Sequence, residues 1–260
     1  WVRPRGATPS SHIIKPAIGM SGPVDLSASV ENEYLCMLIV AECGLRTATV
    51  EIARFEDVTA LVVERFDRAR HGPLLVRLPQ EDLCQALGVP SFRKYAANGG
   101  PGMLDVLALL LQSDTPEKDR RQFLQSCFAY WVLGATDGHA KNFSLALGAQ
   151  GGFRLTPLYD VLSLQPNVDA LQVPRREFRV AMAVGDGRHY KVEEIMPRHF
   201  VQTAVAAGVD QGRASEWLVE ITERVPAALQ RAAETMDETV PQDLFQSIAA
   251  GALQRAELLA

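Results

Sequence analysis

One segment, Pro116 to Leu133, limits what this chain can become. Its proline stands where a helix begins, the one place where a missing N–H costs nothing. After the polar stretch Glu117 to Gln122, the residues Phe123, Leu124, Phe128, Tyr130, Trp131, Val132 and Leu133 leave the second half of the segment almost no polar face. A helix that is apolar nearly all round has to be enclosed, so the sequence predicts a large helical body built around it. With 260 residues and 47% hydrophobic side chains the chain has the material for such a core, as one large domain or two lobes.

The residues ahead of this body have a different texture. Ser11-His12-Ile13-Ile14-Lys15 reads as a short strand stopped by Pro16, and Gly19 to Pro23 as a turn. Ser29 is placed to cap a helix in which Val30, Tyr34, Met37, Leu38 and Ala41 recur at helical spacing until Gly44 closes it. Two β-rich stretches follow, Thr47 to Phe55 and Val58 to Phe66. After Asp67-Arg68 the chain turns polar and then helical, with helices predicted at Gln80 to Leu87, Met103 to Gln112 and Pro116 to Leu133. A hairpin is predicted from Phe143 to Leu147 and Gly152 to Leu155. The stretch beyond Val161, with Pro166, Pro174 and Gly185 to Gly187, reads as loop, and Val192 to Leu259 as amphipathic helices. The predicted class is α+β: a small β-rich lobe over 1–68 followed by a large, mainly helical lobe over 69–260.

Twenty-six basic against 31 acidic side chains leave a net charge of −5 with no long run of either sign, so overall charge gives no reason to expect nucleic-acid binding. Cys36, Cys43, Cys84 and Cys127 show no C-x-x-C spacing and mostly fall inside apolar patterns, as reduced core thiols would. No apolar run is long enough to span a bilayer. A cytoplasmic protein off the membrane is the expectation.

The chemistry concentrates in Asp137-Gly138-His139-Ala140-Lys141-Asn142. A carboxylate followed five residues later by an asparagine is the spacing of a kinase catalytic loop, where the Asp takes the acceptor hydroxyl proton and the Asn holds magnesium. Such a pair by itself also suits an exposed loop. Its context adds weight: it follows the long apolar helix, precedes the hairpin, and is followed eighteen residues after Asn142 by Asp160, where a returning chain brings a second metal-binding carboxylate. Lys15, ending the first strand, is placed either to reach phosphates or to face water at a strand edge, and Glu31 or Glu33 on the next helix could pair with it. Glu64, Phe66 and Asp67 end the last strand of the small lobe and read either as a hinge for an adenine and ribose or as an edge strand with ion-paired ends. The run Asn98-Gly99-Gly100-Pro101-Gly102 reads as a turn joining helices, with a phosphate cradle as the other possibility.

In order along the chain, several blocks resemble the HipA family of serine/threonine kinases: Ser11 to Lys15, Val30-Glu31-Asn32-Glu33-Tyr34, Val63 to Arg68, Arg77 to Asp82, Asn98 to Gly102, Gly134 to Ser144, and Leu155-Thr156-Pro157-Leu158-Tyr159-Asp160. Met196-Pro197-Arg198-His199-Phe200 fits the later helical region, so the resemblance covers most of the chain. It implies an atypical, bilobal protein-kinase fold related to phosphoinositide kinases, using ATP and Mg2+. It further implies the toxin of a toxin–antitoxin pair, which phosphorylates serine or threonine on an aminoacyl-tRNA synthetase and stalls translation. By the match, Asp137 is the catalytic base, Asn142 and Asp160 are the magnesium ligands, Lys15 contacts phosphate, and Glu64, Phe66 and Asp67 form the nucleotide hinge. His139 and Lys141 belong to the same nucleotide-side loop. The implied partner is a small HipB-like helix-turn-helix antitoxin that supplies most of the affinity for operator DNA.

The resemblance departs at the start. Family members carry an N-terminal subdomain and a glycine-rich phosphate loop ahead of the segment that begins here at Trp1, and residues 1–11 hold one glycine. The expectation is therefore a kinase body whose phosphate loop lies outside this segment. The competing readings are a truncated, non-catalytic scaffold that binds nucleotide or the antitoxin, and a metal-dependent hydrolase using Asp137, His139 and Asp160. Against the hydrolase, no H-x-x-x-H or H-x-D set of ligands is present.

Overall fold

The computed structural model describes residues 4–259, so Trp1 lies outside the described residues. Its first half is built on β1 (His12–Pro16), β4 (Val50–Phe55) and β5 (Val58–Glu64), an antiparallel sheet in the order β1-β5-β4. β5 runs down the middle because Ala60-Leu61-Val62-Val63 is apolar on both faces and is buried on both. Lys15 sits opposite Leu61 in the register. Between β1 and β4 come a small hairpin, β2 (Gly19–Ser21) and β3 (Val24–Leu26), and the helix α1 (Ser29–Glu42). α1 buries Leu35, Cys36, Ile39 and Val40 against the sheet on one side and the helical body on the other. Ala28, not Ser29, is the N-cap; the Ser29 hydroxyl instead accepts the Ile18 N–H at 2.8 Å.

The enclosed helix is α4 (Pro116–Leu133), at the predicted limits. Phe123, Leu124, Phe128 and Trp131 are fully buried. Around it stand α3 (Met103–Leu109), α6 (Pro197–Ala206), α7 (Gln211–Thr235) and α8 (Gln242–Ala256). α7 also packs on α1, so one continuous buried cluster runs from Val30 to Ala256 across the 68/69 division.

Three stretches differ from the sequence reading, because strands this short show no period and are fixed by the strand they pair with. The polar segment after Asp67 is a hairpin, β6 (Arg68–His71) and β7 (Leu74–Arg77), turned at Gly72 with φ 60°. In Gln80 to Leu87 the first three residues form β8 (Gln80–Asp82) and only α2 (Leu83–Ala86) is helical. Asp82 fixes that switch with a reciprocal cap: its carboxylate accepts the Gln85 N–H at 3.0 Å, and the Gln85 side chain accepts the Asp82 N–H at 2.9 Å. β8 then joins the predicted hairpin, β9 (Ser144–Leu147) and β10 (Phe153–Leu155), as a three-stranded sheet. The stretch beyond Val161 holds α5 (Gln165–Asp169) and the hairpin of β11 (Arg179–Val184) and β12 (His189–Lys191).

Candidate active site

The site begins where α4 ends. Gly134 takes φ 65°, closing the helix in the left-handed turn that glycine adopts without strain. A side chain there would meet the Phe178 ring at 2.7 Å. The chain then runs through Ala135 and Thr136 to Asp137, and a single helical turn over Ala140–Asn142 leads into β9. β10 returns it, and Tyr159 ties the return to the loop: its hydroxyl donates to the Lys141 carbonyl at 3.0 Å and lies 2.6 Å from the Ser144 hydroxyl. Asp160 follows at φ 61°, a backbone that Asp tolerates better than most residues.

Lys15 and Asp160, 145 residues apart in sequence, meet at 2.7 Å, and Lys15 also reaches Glu33 at 2.8 Å. Of the two glutamates that the sequence left open, α1 therefore turns Glu33 inward. Burial works to lower the Lys15 pKa, but the Glu33 and Asp160 carboxylates overcome it and hold the ammonium above its ordinary value. Asp160 Oδ2 accepts the Asn142 side-chain amide at 2.8 Å. The two proposed metal-side residues are thus neighbours, with Lys15 on the other carboxylate oxygen. Asp137 is the open group of the set, its side chain 56% exposed.

Lys15, Glu33, Asp137 and Asp160 line one cavity of about 760 Å³ between the sheet and the helical body, walled by Val30, Leu61 and Leu162. Asn142 stands behind Asp160. A comparable groove of about 640 Å³ runs between α6 and the end of the chain and contains none of the sequence-predicted residues.

Other predicted residues are not gathered there. His139 is buried behind Asp137 with its Nε2 3.6 Å from the carboxylate, too far for a hydrogen bond; burial lowers its pKa, so the ring is neutral at pH 7. Lys141 points to Asp82, at 2.5 Å, and does not line the cavity. Glu64, Phe66 and Asp67 do not line the cavity. The Phe66 ring packs on Tyr159 at 5.6 Å. Both Asp67 oxygens are taken, by Arg65 at 2.9 and 2.7 Å and by Arg68 at 2.7 Å, leaving the ribose-binding role without a free oxygen in this arrangement.

Two residues of the site escaped the sequence reading. Asn32 on α1 makes a reciprocal amide pair with the Ser163 backbone, 2.9 Å each way, and so locks the helix that carries Glu33 to the segment after β10 that carries Asp160. A polar residue inside an otherwise buried stretch was the only signal for it. Tyr95 donates its hydroxyl to Asp137 Oδ1 at 2.6 Å from a segment 42 residues upstream, and nothing in its local pattern marks it.

Comparison with known proteins matches this architecture to a family. The model of the HipA-like C-terminal domain matches residues 2–229. The chain is 39% identical over 181 residues to the putative kinase Y4mE of Sinorhizobium fredii, covering 68% of this chain and 42% of that protein. It is 28% identical over 214 residues to the serine/threonine-protein kinase toxin HipA of Shewanella oneidensis, covering 77% and 47%. The chain thus spans about half the length of the curated relatives it matches. Among solved structures it resembles a chain of the Shewanella oneidensis HipA, HipB and operator DNA complex, with TM-score 0.80 and 25% identity over 95% of this chain and 58% of that one. It shares its fold with the Helicobacter pylori proinflammatory kinase CtkA, at TM-score 0.64 and 14% identity over 95% and 86% of the two chains. On the family match over most of its length, the chain belongs to the HipA-like C-terminal domain family, with an atypical kinase-like α+β fold.

Proposed function

We propose that this chain is the catalytic body of an ATP-dependent serine/threonine protein kinase, the toxin of a HipA/HipB-type pair. The observation that carries the reading is the convergence of Lys15, Glu33, Asp137 and Asp160 on one cavity from four separate segments. Each has work to do in phosphoryl transfer. Lys15, held charged by two carboxylates, is set to meet phosphate oxygens, and Glu33 keeps it aimed. Asp137, exposed and at the cavity edge, takes the proton of an acceptor hydroxyl as its oxygen bonds to the γ-phosphorus; the bond to the bridging oxygen breaks and ADP leaves with the electron pair. Asp160 and Asn142 put a carboxylate and an amide side by side, the donor types that suit Mg2+, an ion that takes one or two protein oxygens and fills its shell with phosphate and water; to hold it, Asp160 would have to exchange Lys15 or the Asn142 N–H for the ion. Bound there, the ion would neutralise phosphate charge. Adenine would be read where β5 leaves the sheet at Glu64 to Phe66, as an adjoining subsite, and Asp67 would have to exchange an arginine for the ribose. The division at 68/69 would then separate a nucleotide lobe from an acceptor lobe.

The likeness to a chain of the HipA, HipB and operator DNA complex supports a HipB-like antitoxin as partner; the reading extends to a helix-turn-helix fold for that antitoxin, operator DNA bound mainly through it, an aminoacyl-tRNA synthetase as substrate with translation arrested, and a cytoplasmic location. Among the described residues no helix is long and apolar enough to cross a membrane. The test is transfer from γ-labelled ATP to a panel of purified aminoacyl-tRNA synthetases by the full-length protein, extended upstream through its phosphate loop, and by its Asp137→Asn variant. The variant should lose on the order of a hundredfold or more in rate while its ATP affinity stays within a few-fold, because the base acts on the acceptor and not on ATP. Near-normal transfer by the variant would sink the assignment.

A further inference from the structure

An exposed carboxylate on a loop has two torsions free to wander, and a base that wanders loses rate. Asp137 is such a group, and Tyr95 is the one side chain that hydrogen-bonds to it among the described residues. The tyrosine is itself held on several sides. Its ring stands edge-on to His139 at 5.1 Å, and the Lys94 ammonium lies 5.0 Å from its centre. Its phenol is pushed well above the ordinary range by burial and by the Asp137 carboxylate, so it remains a donor. Its backbone carbonyl accepts the N–H groups of Asn98 and Gly100, both at 3.0 Å.

The last contact explains the glycine run. A Cβ on Gly100 would lie 1.9 Å from the Arg93 carbonyl oxygen and 2.8 Å from that of Tyr95, so only glycine lets the turn fold back so closely on this segment. Asn98 to Gly102 is a brace, with its close approach directed at protein backbone. We infer that Tyr95 is a positioning residue for phosphoryl transfer, its hydroxyl fixing the Asp137 carboxylate so that Oδ2 is presented to the acceptor, and that the Asn98 to Gly102 turn serves to hold it there. This rests on the reading of Asp137 as the base.

Tyr95→Phe removes the hydroxyl and keeps the ring against His139. With the synthetase acceptor found above, kcat should fall about tenfold, the worth of one hydrogen bond at the transition state. KM for the acceptor, the ATP dissociation constant and the melting temperature should not change. Gly100→Ala should lower kcat in the same way with ATP binding intact; weakened ATP binding instead would make the turn a phosphate cradle and overturn its role as brace. A fall in acceptor KM or a rise in kcat for Tyr95→Phe would mean that the hydroxyl competes with the acceptor, and would overturn the proposal. Crystal structures give a readout independent of turnover: one Asp137 rotamer in the parent and several in Tyr95→Phe, with a single unchanged rotamer counting against it. If Asp137→Asn keeps its transfer, the reading of the base falls and Tyr95 with it. If Asp137→Asn is inactive and Tyr95→Phe turns over normally, the role of Tyr95 alone falls.

Discussion

Replacing Asn32 by alanine should unfold this protein more readily than any neighbouring single truncation of similar size. The side chain donates to the Ser163 carbonyl and accepts the Ser163 N–H, each at 2.9 Å, and both residues are buried, Ser163 completely. Alanine removes both bonds and leaves a donor and an acceptor of the backbone with no water in reach. An orphaned buried group costs about 1–3 kcal/mol, so the pair sums to roughly 3–4 kcal/mol. For a chain of this size that is a fall in Tm of about 6–16 °C, at about 2–4 °C per kcal/mol. Ser163→Ala is the control: it keeps the amide pair and loses the hydroxyl bonds to the Leu133 carbonyl at 2.6 Å and from the Gln165 N–H at 3.1 Å, worth about 1–2 kcal/mol. Urea denaturation followed by fluorescence, with Trp131 and Trp217 buried in the helical body, measures both. The reasoning fails if Asn32→Ala costs no more than Ser163→Ala.

Two further outcomes are expected. Asp160→Ala and Asn142→Ala should each weaken ATP binding more in the presence of Mg2+ than without it, and calorimetry showing equal losses would take them out of the metal site. Asp67 is opposed by burial, yet Arg65 and Arg68 hold its carboxyl below the usual value. A carboxyl depressed in the folded state contributes stability above its unfolded pKa and loses it as pH falls through the folded one. The parent should therefore be more stable than Asp67→Asn at pH 7, with the difference narrowing as pH falls below about 4; urea midpoints showing the same gap at about pH 3 as at pH 7 would refute the ion-pair account.

Much of this protein is written locally. The limits of α4 follow from Pro116, the apolar second half from Phe123 to Leu133 and Gly134, and the hairpin from two short strands around Gly148 to Gly152. α1 is legible from its spacing, though its N-cap moved by one residue because Ser29 had a better partner in Ile18. β8, the β6–β7 hairpin and the β11–β12 hairpin were not legible. Each is three to six residues long, too short for a period to declare itself, and β8 exists because β9 lies beside it.

The candidate site divides along the same line. Residue types at fixed spacing, Asp137 with Asn142 and then Asp160, are a property of the chain and could be read from it. Which groups face each other is a property of the fold. The choice of Glu33 over Glu31, the turning of Lys141 to Asp82 and the hydroxyl of Tyr95 on Asp137 all depend on segments brought together from separate parts of the sequence. Hydrogen bonds and ion pairs act over about 3 Å, and a separation along the chain carries no information at that range until packing has set it. The sequence by itself determined the enclosed helix, the order of elements and the inventory of reactive groups. Only the tertiary structure decided which of those groups share a cavity, because side-chain direction is fixed by contacts across elements and not by the residues on either side.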